Sequence, residues 1–386
     1  TQLKLQSLRK ELNQVFFERS QVIDGLLGTM LHGSNAILFG PPGTAKSDLV
    51  QAICCSITGT VYFNRLLFKT MPPEELLGQA SLRELTENDR LVRNTKGRLP
   101  DADVAFLDEI FKCSPATLNS LLRIANEREF DNPEPKKIPL IFMVGASNEV
   151  PTETEMLAFL DRFIFKTWVL PLRREKSRRD LIAMADSGKR QQVATRLTMQ
   201  ELKDLQIEAR KVPLHSKVVE QLLILAEEFQ KKNLYMSDRK LVKIVELLKC
   251  LAFVQGDQAV SSEHLHELLP YCVANMEDEV KEAKQVLKDK CPTLLNQALD
   301  WLDRAKKCAV EATEAASRFS RDRMPVTERQ LNSSIESATK NVSAIKQQLD
   351  EAIAEWKDVS PRIQRIAQSI DDILTDIAGY KELIYR

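Results

Sequence analysis

Glycine is scarce in this chain. There are 12 in 386 residues, less than half the usual share of about 7%, and past Asp257 only Gly379 remains. A chain poor in glycine is poor in tight turns and bulges. An all-β sandwich or barrel is therefore nearly excluded, and a mostly helical protein is expected. Histidine numbers four and shows no metal pattern: His264 and His266 are two apart and would face different sides of a helix. The seven cysteines are an odd count without a C-x-x-C pair, which reads as buried, reduced thiols rather than a disulfide framework. Net charge is absent too. Lys plus Arg is 55 and Asp plus Glu is 55, which argues against a generally basic nucleic-acid binder while leaving room for a local patch. No apolar run reaches the ~18 residues of a membrane-spanning helix. The opening stretch TQLKLQSLRKELNQ has no apolar core or cleavage site of a secretory signal, so a cytoplasmic location is expected.

What remains is 43% hydrophobic, enough for sizeable cores. Residues 1–172 alternate short apolar runs (36–39, 61–64, 104–107 and 140–146) with amphipathic segments near 4–32, 46–58, 115–126 and 156–159. Short Val/Ile/Leu/Phe runs followed by turn or helix-start residues fit buried strands of a parallel sheet, with helices on both faces. Strand signals stop near Leu172. Residues 173–275 read as an all-helical domain, with apolar residues at three- and four-residue spacing in 217–231 and 238–254. Residues 276–386 read as long amphipathic helices near 293–320, 326–359 and 362–378. Leu331, Ile335, Ala338, Val342, Ile345, Leu349 and Ile353 repeat close to a heptad. Such helices form a small bundle or coiled coil, or dock on something else.

The strongest motif is GPPGTAKS, Gly40 to Ser47, which follows the strand AILF and opens a helix. In that context Gly40 and Gly43 let backbone N–H groups curl around a phosphate, and the helix start directs its positive end there. Lys46 can reach the β and γ oxygens, and Ser47 can offer its hydroxyl to Mg²⁺. The usual pattern has glycine just before the lysine. Here it is Ala45, which a right-handed helical φ would tolerate. A second apolar strand, VAFLDE, ends in two carboxylates. Behind a phosphate loop, Asp108 suits the Mg²⁺ shell and Glu109 can polarise the attacking water. The strand IFMVGASNE ends at Asn148, a side chain able to orient water near a γ-phosphate or simply to cap the strand.

Three arginines complete the candidates. Arg162, in LAFLDRFIF, is flanked by apolar residues, as at an interface from which a neighbouring subunit contributes an arginine; a local ion pair with Asp161 or Glu155 is the plainer reading. Arg239, in YMSDRK, falls in the first turn of a helix capped by Ser237 or Asp238 and could bend back over bound nucleotide, or be merely solvated. Arg128, in IANEREF, could also face a neighbour.

Together the stretches FFERSQVI, LFGPPGTAKS, FLDEIFKCSPATLNSLLRIANEREF, GASNEVP, LDRF and SDRKLVK resemble the AAA+ ATPases. Within them they are similar to the MoxR family, and most similar to its regulatory ATPase variant A (RavA) branch. The resemblance spans about residues 10–255. It implies an α/β P-loop AAA+ nucleotide-binding domain over 1–172, with a parallel sheet between helices. An all-α lid over 173–275 and a helical tail over 276–386 would follow. It makes Gly40, Gly43, Thr44, Ala45, Lys46, Ser47 and Asp48 the Walker A nucleotide site, and Asp108 and Glu109 Walker B. Asn148 becomes sensor 1, Arg162 the arginine finger and Arg239 sensor 2. Phe17 matches a position that packs on adenine, or is a buried helix residue. ATP and Mg²⁺ are the implied cofactors, with Ser47 and Asp108 as metal ligands, and a hexamer the implied assembly. Insertions at 71–99 and 130–139 would face the pore. The implied activity is ATP-driven, chaperone-like remodelling of a protein client alongside a von Willebrand factor A domain partner. The tail departs from that branch: a β-rich module is expected there, and 276–386 show no strand-like alternation.

Two other readings compete. A helicase-like nucleic-acid motor needs a basic pore; Lys136 and Lys137 support it slightly and the neutral balance weighs against it. An ATP-gated scaffold would have no need of intact Glu109 and Asn148.

Overall fold

The short apolar runs assemble one sheet. In the computed structural model, which describes residues 1–186, 193–234, 236–321, 324–355 and 361–380, the strands are β1 (Asn35–Phe39), β2 (Tyr62–Leu66), β3 (Val104–Asp108), β4 (Phe142–Ser147) and β5 (Phe165–Trp168). All pair in parallel, in the order β2-β3-β4-β1-β5. Every residue of β1 and β4 is buried, as expected of parallel strands covered on both faces. All five strands therefore end on one edge, where open α/β sheets place their ligand crevice.

The fifth strand was not foreseen. Lys166 interrupts the apolar run FIFKTWVL, yet its side chain is fully buried and donates to the Cys272 carbonyl. The expected helix over 4–32 is two helices, Gln2–Val15 and Ser20–His32. The break falls where Glu18 takes φ +58. Arg9 joins the two helices through a two-pronged pair with buried Asp24 at 2.5 and 2.6 Å. The second helix packs on β5 so closely that a Cβ at Gly25 would lie 2.0 Å from Phe165 Cζ. Strand structure also continues past Leu172: Leu197–Thr198 pairs in parallel with Ile57–Thr58. No disulfide forms among the described residues, and Cys55 is exposed rather than buried.

The two expected insertions are irregular. Residues 71–99 hold the short helices Glu74–Leu77 and Leu82–Asn88. The hairpin Glu129–Asp131 with Pro135–Lys137 follows helix Pro115–Glu127. Asn132 ties the two segments together, accepting the Arg93 N–H at 2.6 Å and donating to the Arg93 carbonyl at 3.0 Å.

The chain divides into two compact units, 1–287 and 288–386. The division lies past the expected boundary at 275/276. Helix Glu277–Lys290 buries Val280, Ala283, Val286 and Leu287, and Lys284 donates to the Tyr271 hydroxyl at 2.8 Å. Helices Glu175–Asp186, Met199–Arg210, Ser216–Lys231, Asp238–Gln255 and Ser262–Val273 complete the helical part of the first unit. The second unit is a bundle of Leu294–Arg321, Pro325–Glu355 and Pro361–Gly379. Pro325 and Pro361 open helices, where a missing N–H costs nothing. Alanines 298, 305 and 312 line its core at seven-residue spacing, against Leu331, Ile335 and Val342. Among the described residues no helix is long and apolar enough to cross a membrane.

Candidate active site

The phosphate loop leaves β1 at its carboxyl end. Gly40 (φ +141) and Gly43 (φ +77) both need conformations that side chains resist. At Gly40 the constraint comes from the fold itself: a Cβ there would meet the Val169 carbonyl oxygen at 2.3 Å. Ala45 does not take the expected right-handed conformation. It stands at φ +63, ψ +30, left-handed, just before helix Lys46–Cys55, at a cost of about 1–2 kcal/mol. Thr44 Oγ1 donates to the Pro41 carbonyl at 3.0 Å. Asp48 is exposed in the helix's first turn.

Around this loop five candidates converge. Lys46 Nζ donates to the Gly40 and Pro41 carbonyls at 2.6 and 3.0 Å and to Asn148 Oδ1 at 3.3 Å. Burial pulls its pKa below the ordinary lysine value, partly offset by Asp108 and Glu109. Ser47 Oγ donates to Asp108 Oδ2 at 3.3 Å, so hydroxyl and carboxylate are adjacent, as a shared Mg²⁺ would need. Asn148 Nδ2 donates to Glu109 Oε1. Lys112, which the sequence reading overlooked, lies 3.2 Å from the same oxygen. Glu109 is left-handed at φ +53, and its Oε2 is buried with no hydrogen-bond partner among the described residues. A buried, unpaired carboxylate oxygen fits a position kept for a ligand or water.

Phe17 is half-buried in the turn between the first two helices. That turn is fastened near the same edge: Glu18 accepts the N–H groups of Arg173 and Arg174, both at 2.9 Å, and Arg19 donates to the Leu170 carbonyl.

Arg162 and Arg239 are elsewhere. They line a cavity of about 240 Å³ with Arg128, Asp161, Lys240 and Lys243, beside residues Gly33 to Asn35 at the amino end of β1. Asn35 Nδ2 donates to the Arg162 carbonyl at 3.1 Å. Five residues of β1, at about 3.3 Å rise each, set the two edges roughly 15 Å apart. Arg239 therefore does not bend back over its own phosphate loop, which corrects the expectation from its place in the helix. Arg162 lies 3.7 Å from Asp161, the local pair the sequence allowed, while its Nε is buried and unpartnered among the described residues. Arg128 donates to the Ile124, Ala125 and Gly33 carbonyls, and burial holds its guanidinium down to about 10. Lys240 and Lys243 were missed. The signal for them was in SDRKLVK, where cations crowd a helix start that favours acids. The basic hairpin is partly neutralised: Lys137 pairs with Glu129 at 3.0 Å. Among the described residues no group of three His, Cys, Asp or Glu could hold a metal.

A parallel sheet with a phosphate loop, two strand-end carboxylates and a polar sensor at one edge, followed by a helical lid, defines a nucleotide-binding AAA+ architecture. Residues 3–207 match the family described as the MoxR domain in the MoxR-vWA-beta-propeller ternary systems, and residues 217–287 match an AAA lid domain. The chain belongs to the MoxR family of AAA+ ATPases. Two uncharacterized proteins of Methanocaldococcus jannaschii are similar. One is 36% identical over 298 residues, 77% of each chain; the other is 37% identical over 276 residues, 71% of this chain and 72% of the relative. A structural protein of Acidianus two-tailed virus is 31% identical over 182 residues, 44% of this chain and 29% of the viral one. In fold, the chain is similar to a candidate ATPase from Cytophaga hutchinsonii, with TM-score 0.58 and 18% identity over 75% of this chain and 93% of that one.

Proposed function

We propose that the protein hydrolyses ATP as a ring of copies, most simply a hexamer, and uses the turnover to remodel a partner protein. One observation carries this reading. The carboxylates and phosphate loop stand on one edge of the sheet, and a cluster of five cations around a single carboxylate stands on the other. A head-to-tail ring would bring these unlike edges together, since repeated heterologous contacts close into rings.

In each composite site Lys46 and the loop N–H groups would hold the phosphates. Ser47 and Asp108 would hold Mg²⁺, which supplies charge neutralisation at the phosphates when bound. Glu109 would accept the proton of the attacking water, aimed by Asn148. Arg162 and Arg239 would reach the γ-phosphate from the neighbouring copy. That assignment keeps both arginines in the reaction and changes the chain that supplies Arg239.

Within the family the reading favours the ternary systems that the matched description names, with a vWA-domain protein and a β-propeller protein as partners and cytoplasmic action on a protein client. The RavA-like assignment keeps the catalytic motifs but not a partner. The test is ATP turnover per subunit against protein concentration, with assembly followed by sedimentation. Turnover should rise steeply as the ring forms. Turnover independent of assembly would sink the composite site, and binding without turnover would favour the scaffold. Affinity capture with Glu109→Gln held on ATP should retain the vWA-domain partner.

A further inference from the structure

Helix Asp238–Gln255 starts with its cations at the unfavourable end. Arg239 and Lys240 fall in the first turn and Lys243 in the second, where the helix dipole disfavours positive charge. These three share their cavity with Arg128 and Arg162, and Asp161 is the carboxylate lining it. Asp161 is already divided, 3.7 Å from Arg162 and 3.5 Å from Lys240.

Lys243 lies within this cluster. It is half-buried, and its pKa is pulled down by burial and then by Arg239, Arg128 and Arg162, with Asp161 opposing. Arg128 is met by backbone carbonyls, but among the described residues lining this cavity Asp161 is the one carboxylate against five cations. A fold selected for stability alone would place an acid or an apolar group there. The excess of positive charge suits an anion with more than one negative oxygen.

We propose that Lys243 is a third cationic ligand, beside Arg162 and Arg239, for the terminal phosphate of the nucleotide held by a neighbouring copy. This rests on the ring reading above. Lys243 stands one helical turn beyond Arg239 on the same face, so the two ammonium and guanidinium groups flank one volume. The lysine is a compact point charge and the arginines are planar forks. Together they bracket charge that spreads over the three oxygens of the transferred phosphoryl group. Lys243 forms no covalent bond and moves no proton in this role.

The experiment compares Lys243→Met and Lys243→Arg with the unaltered full chain. Turnover at saturating ATP should fall on the order of 100-fold in Lys243→Met and recover substantially in Lys243→Arg. The dilute, nucleotide-free Lys243→Met chain should melt higher than the unaltered chain, because a repelled charge is gone. A role in folding predicts the opposite shift. Mixing Lys243→Met with Lys46→Ala should restore activity above the sum of the two separate preparations, since each supplies the half-site the other lacks. If unaltered chains show assembly-dependent turnover and Lys243→Met keeps turnover within twofold, the Lys243 assignment is overturned and the ring reading survives. If Arg162→Ala and Lys46→Ala also fail to complement each other, the ring reading itself falls. Stabilisation of dilute Lys46→Ala by inorganic phosphate, lost on adding Lys243→Met, with turnover unaffected by Lys243→Met alone, would assign the cavity to a free anion and overturn the proposal.

Discussion

At the carboxyl edge of the sheet most polar groups are matched: Lys46 rests on loop carbonyls and Asn148, Ser47 rests on Asp108, and Asn148 and Lys112 hold one oxygen of Glu109, whose Oε2 has no partner among the described residues. At the amino edge the balance is one-sided, with Arg128, Arg162, Arg239, Lys240 and Lys243 around Asp161. The first edge is organised to receive a polyphosphate and a cation. The second sets five cations around one carboxylate. The contrast teaches that one sheet can carry opposite charge characters at its two ends, and in the ring proposed above these ends would be the two halves of one site.

The largest effect that would sharpen this contrast is at the carboxyl edge. Glu109→Gln should keep ATP binding and lower steady turnover by about 10⁴-fold, measured by phosphate release beside nucleotide binding. Undiminished turnover would remove Glu109 from the chemistry. At the amino edge, Arg162→Ala should cost about 10³-fold and be complemented in mixtures with Lys46→Ala. Equal loss without complementation would break the comparison, because Arg162 would then act within its own chain.

A smaller effect lies beneath the amino edge. Burial, with Lys240 adding repulsion, pushes the Lys166 ammonium down to about 7. Between pH 7 and 8.5 the unfolded chain carries this proton and the folded chain does not. Folding then releases a proton, and stability rises with pH through that window by on the order of 1 kcal/mol. Above about 8.5 the trend is opposed, because unfolded thiols ionise while Cys113, Cys250 and Cys272 are held protonated by burial. Melting temperatures at pH 7 and 8.5 should show the rise in the unaltered chain and a flatter line in Lys166→Met. The smallest effect is at the loop. Ala45→Gly should remove left-handed strain and gain up to about 1 kcal/mol, less the entropy glycine adds to the unfolded chain. A loss of stability there would mean that Ala45 packs in a way its φ does not reveal.

Much of the carboxyl edge was legible from residues alone. A loop that must approach phosphate needs glycine, a lysine and a hydroxyl at fixed spacing, and a buried strand that ends in Asp-Glu announces its own edge. The fifth strand was not legible, because Lys166 looks like a break in an apolar run until the Cys272 carbonyl is seen to accept its hydrogen bond. Nor was the place of Arg239: a position in a helix's first turn says nothing about which end of a distant sheet the helix covers.

The glycine scarcity, the phosphate loop, the acidic strand ends and the heptad-like tail were determined by local chemistry and periodicity, which operate over a few residues. The opposition of the two edges was decided by tertiary structure. Strand order, the close approach of Gly40 to Val169 and the gathering of five cations depend on contacts between segments far apart in the chain. Only the folded sheet turns them into two unlike faces.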